Sequence, residues 1–505
     1  MPLNLPRPTF GVEVEFLVAT LPRDGNIPDP HGHIPGLPPA LRWHETGIDP
    51  FELVASPGFF VVMEEVKGLL SNLFGKPPRI NFALVDVSGT SVLTRYSTWE
   101  AEHEATVYSQ DEDRHGYRFY GMEVISPVQY PAPKAFEMIN IVVSIITSKF
   151  RCIVNMTCGL HVHVGLGEER IPLEGIRRIG SLSYAVEPLL FALHNPRRRA
   201  DYYCKPLEYQ SRLATGRDEP MFHDNPDNDN TPSHGGCLYY FGRERRHGEF
   251  PISAREQDTS SDAVLDFART RKRGHFEPFI RAGDQRPPAA KFPTDISHEL
   301  DLRIAAAAGS PSTTTPEQRS DQHRTMPRIR LLRDEPDSVT KLPEHFKYIA
   351  PCAIVSGGPA SGVFEATRRI YEQPASCSIS HQLSGHGYSA INFDHYGCTK
   401  LVPSRYNKRT IEFRMGEGTL DADWIPVWAK ICTGLFKFAL YASPSDFIDV
   451  LTNCDKARKE SGSYDVVDLL NDIGLFAEAE AAQQRLKANK DRWNLKFVES
   501  KEPRS

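Results

Sequence analysis

Long apolar runs are missing from the 505-residue chain. A membrane helix needs about 18 such residues in succession, and the nearest approach, Ile139–Ile146, is interrupted by Asn140 and Ser144. No membrane partner is expected. The opening MPLNLPRPTF holds three prolines and no apolar core, so no signal peptide is expected either. A basic surplus is absent as well, since 59 Lys+Arg stand against 65 Asp+Glu for a net charge of −6. Chains that coat phosphate backbones carry the opposite balance, so nucleic acid is not an expected partner. The nine cysteines never fall into a CxxC pattern. A scattered, odd-numbered set suits free thiols in a reducing compartment and argues against a disulfide framework or a cysteine-rich zinc module. The expectation is a cytoplasmic enzyme or binding protein. Several chemical motifs are also missing. There is no GxxxxGK[ST] phosphate loop, no GxGxxG after a strand, no GxSxG elbow and no HExxH helix, so any nucleotide is held by other means.

Proline is abundant, at 40 residues, about 8% against a usual ~5%. It collects in loops. Residues 21–50 read as an irregular excursion, and 208–345 as a polar, partly disordered insertion rich in Arg, Asp, Pro, Ser and Thr. No internal repeat is evident. The expected division is residues 9–207 and 346–443 as two parts of one catalytic domain, separated by that insertion and followed by a helical extension over 444–505.

Strands are expected at 11–18 (GVEVEFLV), 117–126, 159–166 (GLHVHVGL), 388–393 (YSAINF) and 410–415 (TIEFRM), each alternating or rich in β-branched and aromatic residues. Helices are expected at 133–148, 173–194, 424–441 with Asp423 as cap, and about 464–490. This order suits an α+β fold with an antiparallel sheet.

Three of these strands share a pattern. Glu13 and Glu15 lie two apart and project from one face, with Val12, Val14 and Phe16 opposite. His161 and His163 repeat this, as do Glu412 and Arg414, and Glu123 stands alone between Met122 and Val124. Taken alone, Glu13 and Glu15 read first as the solvated acidic face of a half-buried strand, and it is the repetition that points elsewhere. Together the strands carry a set of four carboxylates, two imidazoles and a guanidinium. Carboxylates packed on one surface repel unless a cation lies among them. Oxygen ligands with an imidazole suit Mg²⁺ or Mn²⁺, and an arginine beside them implies an anion such as phosphate.

Glu-x-Glu, a lone strand Glu, Gly-x-His-x-His and Arg-x-Ile-Glu-x-Arg, in that order, resemble the glutamine synthetase-like carboxylate–amine ligase superfamily. GVEVEF, GMEVISP, CGLHVHVG and RTIEFRMGEGTLD are similar to its amidoligase family, over roughly residues 9–210 and 385–440. The resemblance implies a glutamine synthetase-like antiparallel sheet with flanking helices. It also implies ATP and Mg²⁺ (or Mn²⁺) as cofactors, with a small-molecule or peptide carboxylate and an amine as substrates, joined through an acyl phosphate. Glu13, His161 and Glu412 would hold one metal ion, and Glu15 with Glu123 the other. Arg414 would contact the transferring phosphate, with Arg409 as a second catalytic arginine.

Weaker candidates for substrate or nucleotide contact are His163, Asn392, Arg198 and Glu417, the last as a base for the amine. Each has a plainer reading: a buried histidine, a structural amide, a solvated arginine run at 197–199, and a turn at Gly416–Thr419. The rival functions are a zinc hydrolase using His161 and His163 and a non-catalytic ligand-binding protein on the same fold. Oligomeric state is left open.

Overall fold

A computed structural model describes residues 6–22, 28–43, 57–75, 96–109, 116–167, 169–201, 203–215, 324–331, 362–383, 388–396 and 409–498. Most of the expected insertion therefore lies outside the described residues. The chain divides into two compact units. The first comprises Pro8–Glu168 with Phe413–Thr433, and the second Met1–Arg7, Glu169–Glu412 and Gly434–Ser505.

The first unit is built on β1 (Thr9–Pro22), the GVEVEFLV strand extended at both ends. In chain order there follow β2 (Leu41–Trp43), α1 (Pro57–Phe74), β3 (Glu100–Tyr108), β4 (Arg118–Ile125), α2 (Pro133–Lys149), β5 (Cys152–Ile153) and β6 (Gly159–Gly165). β1 pairs parallel with β2 and antiparallel with β4, β5 and β6, while β3 pairs antiparallel with β4. With β8 (Thr410–Glu417) the strand order is β3-β4-β1-β6-β8. The result is mixed helix and largely antiparallel sheet, in keeping with the expected α+β class.

Alternation sets the two faces of this sheet. Phe10, Val12, Val14 and Phe16 are buried on one side, where the Phe10 ring stacks on Phe136 of α2 at 4.9 Å between centroids. Ala135, Phe136, Ile139, Val142, Val143 and Ile146 form the buried stripe of α2 at helical spacing. Gly121 is required where β3 shifts register between His103 and Tyr108: a Cβ there would lie 2.1 Å from the Val107 carbonyl oxygen. Part of the expected excursion at 21–50 is ordered turn. Asp29 accepts hydrogen bonds from Arg151 Nη1 (2.7 Å), the Tyr117 hydroxyl and the His31 N–H (3.1 Å). These bonds pin residues 29–40 and hold the Asp29 carboxyl well below the usual carboxylate range despite its burial.

The second unit is helical. α3 (Leu173–Leu190) is buried along most of its length, as its run of Ile, Leu, Tyr and Val predicts. Around it lie α4 (Val363–Tyr371), α5 (Ser376–Leu383) and α7 (Pro444–Lys459). α6 (Trp424–Tyr441) begins in the first unit and ends in this one. Fully buried Arg178 of α3 donates to the Ala439 carbonyl and, at 2.7 Å, to that of Ala442, satisfying orphan carbonyls at the end of α6. Its guanidinium lies 4.4 Å from the Phe447 ring centroid. β7 (Ile391–Asn392) is shorter than the expected strand at 388–393 and lies beside β8.

Three expected boundaries differ. The single helix over 464–490 is two, α8 (Val466–Asp472) and α9 (Phe476–Asn489). Gly474 at φ +80° ends the first, with Gly474 N–H bonded to Asn471 O and Leu475 N–H to Leu470 O. The cap of α6 is Asp421, whose Oδ1 accepts from Trp424 N–H at 3.1 Å, whereas Asp423 accepts from Asn140. The strand carrying Arg414 continues through Gly416 to Glu417, so the expected turn starts later. Among the described residues no helix is long and apolar enough to cross a membrane.

Candidate metal and phosphate site

Strand register brings the first-unit candidates together. Glu13 stands directly across from His161, and Glu15 across from Glu123. Directly paired residues share a face and lie about 5 Å apart, so β4, β1 and β6 present these four side chains as a group. His163 pairs with Gly11, which offers no side chain to block its ring. Glu13, Glu15, His161 and His163 are at most 7% exposed, and Glu123 is half-buried. The reading of a solvated acidic face is therefore overturned for β1 and β6.

Buried carboxylates need donors or cations. Glu13 faces two imidazoles, with Oε1 3.1 Å from His163 Nε2 and Oε2 3.5 Å from His161 Nδ1. Glu15 accepts the Gly159 N–H at 2.5 Å through Oε2, and its Oε1 lies 3.6 Å from His161 Nε2. Glu15, Glu123 and His161 each offer one ligand atom, and these atoms lie within 4.8 Å of one another. A cation binding oxygen at about 2.1 Å would span such a triad after small side-chain movements. Two carboxylates and one imidazole suit Mg²⁺ or Mn²⁺, so the residues present fit the expected group. His161 and His163 face different oxygens of Glu13.

Arg414 lies two residues after Glu412 in β8, on the same face by alternation, and is half-buried. By the same alternation Glu417 falls on the face of Ile411, Phe413 and Met415. In the second unit, Asn392 Nδ2 donates to Glu412 Oε2 at 3.1 Å. Arg409 opens β8 with a left-handed φ of +48°. Arg198 is buried and paired with Asp201 at 2.5 Å, and Arg199 is paired with Glu208. Arg198 and Arg199 are therefore internal, in contrast to the solvated reading, whereas Arg197 is exposed.

Sequence reasoning passed over Glu102. The β3–β4 register sets it across from Glu123, which continues a carboxylate row Glu102–Glu123–Glu15 over three strands. The alternation in EAEHEATVY was the available signal. It also passed over Tyr396, a buried tyrosine whose hydroxyl donates to the Arg409 carbonyl at 3.0 Å.

The family model described as "Putative amidoligase enzyme" matches residues 66–247 of the chain. This is the family expected from the strand motifs. The matched span contains Glu123, His161 and His163. It begins after Glu13 and Glu15 and ends before Glu412 and Arg414. No curated protein and no solved structure matches the chain.

Proposed function

From the similarity to amidoligases over residues 66–247, we propose that this protein is an ATP-dependent carboxylate–amine ligase. The observation that supports the reading best is the donor set of buried Glu15 and His161 with half-buried Glu123, beside Glu13 and His163. Buried carboxylates at such density suit a cation-binding surface and are costly otherwise. The family pattern assigns Glu15 and Glu123 to one Mg²⁺ or Mn²⁺, and Glu13, His161 and Glu412 to a second. Such ions neutralise phosphate oxygens and align the nucleotide when bound.

The reaction has two steps in this reading. A substrate carboxylate oxygen attacks the γ-phosphorus of ATP, the bond to the β-phosphate oxygen breaks, and ADP leaves. An amine then attacks the acyl carbon, loses a proton to a base, and expels inorganic phosphate to leave an amide or isopeptide bond. Arg414 bears on the phosphoryl oxygens in transit, and Arg409 is the second cationic group. His163, held against Glu13, lines the same face as a substrate contact. The chain's work is positioning and charge compensation.

The test is a thermal melt of the full chain with ATP and Mg²⁺, beside Glu15→Gln and Arg414→Ala. A ligand at 100 times its dissociation constant adds about 2.7 kcal/mol. Metal-dependent ATP stabilisation present in the wild type and lost in both variants supports the reading. No response to any nucleotide, together with tightly held zinc, overturns it in favour of a hydrolase.

A further inference from the structure

Asn392 is oriented from behind. Its Oδ1 accepts the Asp394 backbone N–H at 2.8 Å while its Nδ2 donates to Glu412 Oε2 at 3.1 Å. The first bond decides the second, because an N–H can meet only the amide oxygen, and so the NH₂ end must face the carboxylate. A grip on one oxygen restricts the rotamer of Glu412.

Four residues on, Tyr396 does similar work on Arg409. Its hydroxyl accepts the Ile171 N–H at 3.2 Å and donates its single proton to Arg409 O at 3.0 Å. Full burial pushes the phenol upward, so it remains a donor. The carbonyl it holds belongs to a residue at φ +48°, a conformation that costs a non-glycine residue about 1–2 kcal/mol. Such strain persists where the surroundings impose it, and it clusters at functional positions. The segment is itself anchored, since Ser380 Oγ donates to the Phe393 carbonyl at 2.9 Å.

We infer that β7 and the turn after it are a positioning element for the start of β8. Asn392 aims the Glu412 carboxylate at a cation, and Tyr396 sets Arg409 for a phosphate-bearing ligand. The inference rests on the ligase reading, and both are positioning residues that act through their neighbours.

The experiment measures Mn²⁺ and ATP affinity separately on the full chain, with free Mn²⁺ followed by its spin resonance and ATP binding followed at saturating Mn²⁺. Asn392→Ala weakens Mn²⁺ about tenfold, as loss of an outer-shell partner does, and Glu412→Gln weakens it further. Tyr396→Phe leaves Mn²⁺ within about twofold and weakens ATP about tenfold, the loss that 1.4 kcal/mol of misplacement gives. A merely structural role would move both ligands together and lower the melt in both variants, which overturns the inference. Wild-type affinities in both variants, with Mn²⁺ binding impaired by Glu412→Gln, overturn it while the ligase reading stands. A wild-type chain that binds neither ligand removes both. Should Asn392→Ala not fold, Asn392→Ser, too short to reach Glu412, gives the same reading.

Discussion

Glu13 gives one carboxylate oxygen to each of two imidazoles, Oε1 to His163 Nε2 at 3.1 Å and Oε2 to His161 Nδ1 at 3.5 Å. A carboxylate beside one ring nitrogen favours the proton there and turns the lone pair to the other. For His161 that other atom is Nε2, the one nearest Glu15. Glu13 thus orients the His161 ring so that Nε2 faces Glu15.

Carboxylates packed this closely repel one another when no cation lies among them. Glu15→Gln keeps an acceptor for the Gly159 N–H and removes one buried negative charge. In EDTA it should melt above wild type, by something on the order of 1 kcal/mol. With Mg²⁺ or Mn²⁺ present the order should reverse. A Glu15→Gln protein that is less stable under both conditions would assign the residue a packing role.

Gly416 allows β8 to lie against β6. A Cβ at this position would be 2.4 Å from the Leu160 carbonyl oxygen, a backbone atom that cannot turn aside. Gly416→Ala should cost about 1–3 kcal/mol, the range for overpacking, and weaken ATP-dependent stabilisation by shifting Arg414. Urea unfolding and the nucleotide melt read the two effects separately.

Glu187 predicts a pH slope. It is fully buried, and burial raises its carboxyl to about 8 although the Leu207 N–H bond opposes the shift. An acid raised above its unfolded value of 4.5 holds its proton in the native state while the unfolded chain releases it. Stability is therefore full below about 4.5 and is lost as pH rises toward 8. Glu187→Gln should flatten that part of the profile and gain on wild type by a few kcal/mol (order of magnitude) at pH 8. Parallel wild-type and variant curves between pH 5 and 8 would refute this.

Arg324 joins residues 324–331 to the C-terminal helices. It donates to Asp465 Oδ2 at 2.7 Å and to Asp468 Oδ1 at 2.8 Å, and both aspartates are almost wholly buried. Asp465 also caps α8. Arg324→Ala strands buried charge and should destabilise by about 3 kcal/mol or more. Chemical denaturation at low and high salt checks it, since a buried network is weakly screened.

Period-2 alternation made β1, β4, β6 and β8 legible, because one face of each carries chemistry and the other packs. β3 alternates too, but as EAEHEATVY its polar residues resemble a surface loop, and only pairing with β4 makes it a strand. In DADW either aspartate could cap α6; Asp421 does so, while Asp423 accepts from Asn140. Gly474 breaks a helix-compatible stretch because its backbone turns left-handed, which composition does not announce. Arg198 reads as one of three loop arginines, and its burial follows from Asp201 three residues later. Identities of ligand-type residues were thus readable, whereas which side chain orients which required the pairing of distant strands.

The order of the sheet has a consequence for synthesis. β8 lies beside β6, yet the chain between Gly165 and Thr410 must be made first. At ~5–20 residues per second that is a delay of roughly tens of seconds, during which the β6 edge has no β8 to cover it. An uncovered edge invites pairing with other chains. Nascent or truncated forms ending before Thr410 should therefore engage chaperones or aggregate, so soluble yield should depend on translation reaching the strand that carries Arg414.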